Sequence, residues 1–183
     1  MDEKQLIKQC LKKNAQAQKK MFDVYSPIMM GVCIRYLSRS DLANDALQQS
    51  FLTVFEKLDL FDFKGSFEGW VRRIVINTCL DLLRKQKSFK YGYTEVPLDE
   101  MNNDPGVNSE IDREHDAQFL LDLISELPAG YRLVFNMFAI EGYSHKEISQ
   151  KLGMTESTSR SQFRKAKIKL KSMLEIAAKE SET

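Results

Sequence analysis

Ser66-Phe67-Glu68-Gly69-Trp70-Val71-Arg72-Arg73-Ile74-Val75-Ile76-Asn77-Thr78-Cys79-Leu80-Asp81-Leu82-Leu83 decides the fold class. Phe67, Trp70, Val71, Ile74, Val75, Thr78, Leu82 and Leu83 recur in steps of three and four. That interval returns side chains to one face of an α-helix, whereas a strand would bring them round every second residue. Ser66 stands where a capping hydroxyl can accept from a free backbone N–H, and Glu68 lies in the first turn, where the helix dipole favours an anion. The pattern predicts an amphipathic helix whose apolar stripe must be covered.

Working outward, the same periodicity predicts helices over 3–13, 16–38, 41–57, 113–126, 129–140, 145–152 and 156–175. No segment keeps a two-residue alternation between turn signals, so the expected fold is all-α. Residues 91–112 contain Pro97, Pro105, Gly106, three Asn and six acids with little apolar content, which is the composition of a linker. The expected organisation is two small helical domains, 1–90 and 113–175, joined by a flexible acidic linker at 91–112 and followed by a tail at 176–183.

The chain has 183 residues, enough for one ordinary domain or two small ones. Its 43% hydrophobic and 29% charged content is close to the globular average, which argues against global disorder. The net charge of +1 conceals a segregation: residues 95–126 carry ten acids against Arg113 alone. Residues 1–94 carry sixteen Lys and Arg against ten acids, and 127–183 ten against six. Two basic modules flank an acidic bridge, an electrostatic footprint that suits nucleic acid and that a solvated surface can also produce.

Several function classes are disfavoured. No run approaches the roughly 18 apolar residues of a membrane span, and residues 1–20 are too polar for a signal peptide, so a cytoplasmic protein without membrane insertion is expected. Cys10, Cys33 and Cys79 are odd in number and lack metal-ligand spacing, and only His115 and His145 accompany them. They read as structural thiols, the histidines as ordinary helical polar residues, and neither a metal nor a cofactor is expected. The carboxylates are scattered or in the linker, with no nucleophile-base arrangement and no glycine-rich phosphate loop, so no catalytic activity is expected.

The C-terminal part reads as a helix-turn-helix. Residues 145–152 form a short helix, Gly153-Met154-Thr155 a glycine-bearing turn capped by Thr155, and Glu156 begins a long second helix. Phe163, Ala166, Leu170, Met173 and Leu174 form its inward stripe, while Arg160, Ser161, Arg164 and Lys165 project from the other side. An α-helix fits the major groove, where Arg can donate to guanine O6 and N7.

The N-terminal part makes the reading specific. Asp41-Leu42-Ala43-Asn44-Asp45-Ala46-Leu47-Gln48-Gln49-Ser50-Phe51-Leu52-Thr53-Val54-Phe55, followed by Phe61-Asp62-Phe63-Lys64-Gly65-Ser66-Phe67-Glu68-Gly69-Trp70 and, further on, Asn77, closely resembles region 2 of extracytoplasmic-function sigma factors. Leu127-Pro128, Gly142-Tyr143-Ser144-His145-Lys146-Glu147-Ile148 and Leu152-Gly153-Met154-Thr155-Glu156-Ser157-Thr158-Ser159-Arg160-Ser161 resemble region 4 of the same family.

The resemblance implies a factor that binds core RNA polymerase, through the β′ clamp helices and the β flap, and directs promoter recognition as a monomer within the holoenzyme. It also implies promoter DNA as a partner and admits an anti-sigma factor. Asp45, Gln48 and Gln49 become candidates for docking on polymerase, although the family usually has Glu where Gln49 stands. Phe51 and Phe55 are expected to pack. For the minus-ten element, read as single strand, the candidates are Phe61, Phe63, Lys64, Ser66, Arg73 and Asn77, combining aromatic faces with hydrogen-bonding groups. Arg72 can also meet phosphate, and Trp70 is assigned to the core. For the minus-thirty-five element they are Thr158, Arg160, Ser161, Arg164 and Lys165. At Ser159 the family commonly has an apolar residue, and the hydroxyl is expected to bond back to the carbonyl four residues earlier. The competing reading is a stand-alone helix-turn-helix regulator on an operator, which accounts for residues 127–175 and leaves the N-terminal pattern unexplained.

Overall fold

A computed structural model describes residues 2–85 and 113–181; the expected linker at 91–112 lies outside the described residues. The chain divides into two compact units, Met1–Phe89 and Lys90–Thr183. Helices account for nearly all of what is described, and among the described residues there is no strand.

The first unit consists of α1 (Glu3–Leu11), α2 (Ala15–Leu37), α3 (Ser40–Glu56), a 3-10 turn at Leu58–Leu60, and α4 (Phe67–Lys85). Asn14 caps α2 by accepting from the Ala17 N–H at 3.0 Å, and Ser38 ends that helix in the left-handed region, its N–H donating to the Ile34 carbonyl. α2, α3 and α4 pack on one another around Met21, Met29, Val32, Tyr36, Val54 and Phe67, all fully enclosed. α1 lies on α2 through Leu6, Ile7 and Cys10, and the Tyr25 hydroxyl donates to a Glu3 carboxylate oxygen at 2.6 Å. Burial, then that carboxylate, push the Tyr25 phenol well above its ordinary value.

The buried line of α4 is Phe67, Val71, Val75, Ile76, Cys79, Leu80 and Leu83, so the stripe is turned from the expected one. Trp70, Ile74, Thr78 and Leu82 are only half-buried. The cause is that α4 packs against both α2 and α3 and must bury a wider arc than one partner would need. Each fully buried Val, Leu, Ile or Phe contributes about 1.5–3 kcal/mol, which outweighs the roughly 1 kcal/mol that Gly69 costs the helix. Cys33 of α2 and Cys79 of α4 meet in this core, and their mutual hydrogen bond, then burial, push the Cys79 thiol far above its usual value. Cys10 is also a buried free thiol.

The second unit consists of α5 (Arg113–Glu126), α6 (Ala129–Phe135), α7 (His145–Leu152) and α8 (Glu156–Ser181). The helix expected over 129–140 changes pitch: Asn136–Ile140 is a π-turn, with the Glu141 N–H reaching the Asn136 carbonyl at 3.0 Å. α8 continues to Ser181, beyond the expected end at 175. Leu123, Ile124 and Leu127 pack with Ala166 and Leu170. Arg132 is buried at the α5–α6 corner, where its Nη1 donates to the carbonyls of Ser125 and Leu127, both at 3.0 Å. Hydrogen bonds from a charged donor contribute about 1.5–3 kcal/mol, which offsets burial that lowers the guanidinium's hold on its proton.

Candidate functional site

On α3, Asp45, Gln48 and Gln49 are all exposed. They occupy one side because steps of three and four nearly complete a turn. Beside them stands Leu52, 58% exposed, which the sequence reading did not single out. It is four residues from Gln48 and seven from Asp45, and that interval was the available signal. Leu52 places one apolar side chain within the otherwise polar outer face of α3. Phe51 is buried against Phe22, ring centroids 4.7 Å apart, and Phe55 is half-buried beside it, as the spacing led us to expect.

Asp45 and Gln49 also line a groove of about 500 Å³ between α3 and α4. Asn77, Thr78 and Asp81 of α4 form its other wall. Asn77, assigned from the sequence to a different surface, therefore adjoins the α3 polar face.

The loop before α4 presents an aromatic cluster. Phe61 is 7% exposed, with its ring 5.0 Å from Phe63, 5.1 Å from Phe67 and 5.6 Å from Trp70. It is the floor of the cluster; Phe63 is the ring that meets solvent, 44% exposed. Phe63 has φ 59°, a left-handed conformation uncommon for a bulky residue, of the kind that costs about 1–3 kcal/mol and collects at functional sites. Asp62 shapes this turn by accepting from the Lys64 N–H at 3.1 Å and pairing with the Lys64 ammonium at 3.2 Å.

Ser66 caps α4 as expected, its hydroxyl oxygen accepting from the Gly69 N–H at 3.3 Å. Successive residues turn by about 100°, so Ser66, Arg73 and Asn77 fall in one row, and at 1.5 Å per residue the row is about 16 Å long. Arg73 and Asn77 are exposed along it. Arg72 lies off the row and pairs with Glu68 at 2.7 Å.

In the second unit, Ser144 and Glu147 form a reciprocal capping box at the start of α7, and Gly153 turns the chain with φ 66°. Thr155 caps α8 by accepting from the Thr158 N–H at 3.0 Å, and the two hydroxyls lie 2.9 Å apart. Thr158 is thus half-buried and engaged in the cap. Arg160, Ser161 and Arg164 are exposed on one side of α8, with Lys165 half-buried at the edge. Arg160 makes a long, exposed contact to Glu156 at 3.4 Å, which leaves the guanidinium's position loosely determined.

Two expectations are corrected here. Ser159 is fully buried, and its hydroxyl meets His145 Nδ1 at 2.9 Å instead of turning back along its own helix. His145 is more than an ordinary helical polar residue: it is buried and stacked on Phe138 with ring centroids 4.3 Å apart and planes 14° apart. Phe163 packs against both rings, 4.6 Å from Phe138 and 6.1 Å from His145. Burial, then the charge of Arg160, lower the imidazole's proton affinity, and Glu156 partly opposes this. Residues fourteen apart in sequence give no periodic signal of such a pair.

Two family models match the chain: Sigma-70 region 2 over residues 21–89 and Sigma-70, region 4 over residues 119–170. Among curated relatives, the chain is 27% identical over 179 residues to the ECF RNA polymerase sigma factor SigW of Bacillus subtilis, covering 93% of this chain and 96% of that one. It is 30% identical over 140 residues to the ECF RNA polymerase sigma factor SigE of Mycolicibacterium smegmatis, covering 72% of this chain and about half, 51%, of that relative. Among solved structures, the sigma factor RpoE of Bartonella quintana, crystallised with the anti-sigma factor NepR, has the same fold at a TM-score of 0.51 and 20% identity, over 86% of this chain and 96% of that one.

Proposed function

The chain belongs to the extracytoplasmic-function group of sigma-70 factors, and on that premise we propose that it docks on core RNA polymerase and directs promoter recognition at initiation. The polar face of α3, Asp45, Gln48 and Gln49 with Leu52 as apolar anchor, meets the β′ clamp helices. Phe63, Lys64, Ser66, Arg73 and Asn77 hold the minus-ten strand, with Phe61 supporting the exposed ring from below. Arg160, Ser161 and Arg164, flanked by Thr158 and Lys165, enter the major groove at the minus-thirty-five element, and the second unit also meets the β flap. An anti-sigma factor is a further partner in this reading.

On this reading the domains are 1–90 and 113–175, with 91–112 as linker and 176–183 as tail. The factor acts in the cytoplasm as a monomer within the holoenzyme, without a cofactor or catalytic chemistry. Open-complex formation draws on binding free energy, and nucleotide chemistry stays with the polymerase. No described helix is long and apolar enough to cross a membrane.

One observation carries the reading: an exposed, backbone-strained Phe63 at the head of the Ser66, Arg73 and Asn77 row. A bare operator-binding protein has no use for a single-strand surface on a unit separate from its helix-turn-helix. The test is transcription in vitro by core polymerase with and without the chain, with start sites sequenced. Starts that share two spaced elements and depend on the chain support the proposal. Failure to copurify with core polymerase and to alter its start sites would return it to an operator-binding regulator.

A further inference from the structure

We propose that His145 and Ser159 form a positioning clasp that holds the recognition helix in its reading orientation, and that protonation of His145 weakens recognition of the upstream promoter element. This rests on the reading of α8 as the helix that meets that element.

The clasp lies where orientation matters most. Ser159 is the residue before Arg160 and faces inward while Arg160 faces out. Its hydroxyl, fully enclosed, is joined to a ring at the first position of α7. Apart from the clasp, α7 buries the apolar residues Ile148 and Leu152, and contacts of that kind are non-directional and tolerate small rotations of one helix against another. A hydrogen bond of 2.9 Å is directional and opposes such rotation. Stacking on Phe138 fixes the plane of the ring, and therefore where Nδ1 points. Rotation of α8 would swing Arg160 and Arg164 together, because both are set by the same helix axis.

Protonation acts against this arrangement. The neutral pair is satisfied in either tautomer: the Ser159 hydroxyl donates to Nδ1, or Nδ1–H donates to the hydroxyl oxygen. An imidazolium would still donate from Nδ1 to the Ser159 oxygen, so what opposes the proton is the charge it adds to a buried position near Arg160. The charged groups that act on the ring are both on α8, Arg160 opposing the proton and Glu156 favouring it, while the π-turn presents the uncharged ring of Phe138. The balance disfavours the proton, so the neutral clasp belongs to the folded state. The associated stability is present above the ordinary histidine value near 6.5 and is lost as pH falls through the lower folded-state value.

The sign of the effect separates this role from simple charge. An extra positive charge near DNA tightens binding through its phosphates, whereas a loosened clasp reduces preference for the correct sequence. The experiment uses holoenzyme containing the full chain and an upstream duplex selected from a random library at pH 7.5, with non-specific duplex as reference. From pH 7.5 to 5.5 the preference should fall, no more steeply than about tenfold per pH unit for one proton. His145→Gln, which can keep a hydrogen bond without titrating, should flatten the profile; His115→Gln should leave it unchanged. Ser159→Ala should reduce preference at pH 7.5, and adding His145→Gln to it should reduce preference little further. Arg164→Ala is the separate control on the underlying reading: if it leaves preference intact, α8 is not the reading helix. If Arg164→Ala abolishes preference while wild-type preference stays level or rises towards acid, the clasp is overturned. It is equally overturned if His145→Gln and wild type share one profile. The wild-type profile and Ser159→Ala decide the matter even where His145→Gln does not fold.

Discussion

Phe63 and Asn77 carry the sharpest expectations at the scale of single residues, because each is exposed and lies on the surface proposed to hold the minus-ten strand. Phe63→Gly removes a ring that meets Phe61 but also relieves a positive φ, so stability should change by less than about 1 kcal/mol. Promoter opening should nevertheless fall, since base–aromatic stacking is worth about 1–3 kcal/mol per base. Permanganate footprinting of the melted strand, alongside thermal unfolding, checks both; a large stability loss with normal opening would make Phe63 a packing residue. Asn77→Ala should weaken opening by about 1–3 kcal/mol, the usual consequence of one lost hydrogen-bonding group in a desolvated site. Its position in the α3–α4 groove beside Asp45 and Gln49 adds a second readout. Core affinity should stay within twofold of wild type, about 0.4 kcal/mol; a larger loss would reassign Asn77 to the polymerase dock.

For whole elements, the two helices that carry the proposed interfaces differ in what their substitution should do. The outer face of α3 contributes nothing to the core, so Asp45→Arg, or Gln48→Ala with Gln49→Ala, should weaken binding to core polymerase and leave helical content unchanged. Leu52→Asp belongs to the same test, since it would put an unpaired charge into a contact made through this face. Titration of labelled factor against core polymerase, with circular dichroism as control, measures it; undiminished affinity in all three folded variants would remove this face from the interface. On α8, Arg160→Ala and Arg164→Ala should each cost about 1–3 kcal/mol at the upstream element and relax preference at one or two positions. Lys165→Ala should instead weaken all duplexes alike and lower the salt slope by about one, since an ammonium is a poorer bidentate reader than a guanidinium. Binding to a sequence library at two salt concentrations separates the two behaviours, and wild-type profiles from all three would mean that α8 does not read DNA. Periodicity and capping made these helices legible in advance, down to Ser66, Thr155 and the glycine turn at 153. Legibility failed at the π-turn of 136–140, because a single extra residue in one turn leaves the apolar spacing on either side nearly intact.

Across the whole molecule, charge segregation is the property that single helices do not convey. Two basic stretches flank the acidic residues of 91–112, and the chain as a whole carries only +1. Neutralising the six carboxylates of 91–112 to Asn and Gln should therefore tighten non-specific duplex binding by the free factor. The gain should be largest near 0.01 M salt and vanish near 1 M, where the screening length is about 3 Å. Fluorescence anisotropy over that range tests it, and equal affinity at low salt would mean the acidic stretch exerts no field on the basic units.

The amino-acid sequence by itself determined the helices, their caps, the division into two units and the family, because each is written in local spacing and in motifs of consecutive residues. Tertiary structure alone decided which residues of those helices face inward and which distant ones meet. A period reports the angle of a side chain about its own helix axis and says nothing of how many neighbours cover that helix. Hence α4, held between α2 and α3, buries Ile76, Cys79 and Leu80 and leaves Trp70 half out. Leu52 faces solvent because, among the described residues, no helix covers that side of α3, and Phe61 turns inward because Phe67 and Trp70 offer it rings to pack on. Asn77 joins Asp45, and Ser159 joins His145, only when successive helices fold back on one another to within hydrogen-bonding or groove distance, a relation set by packing that the period within either helix does not encode.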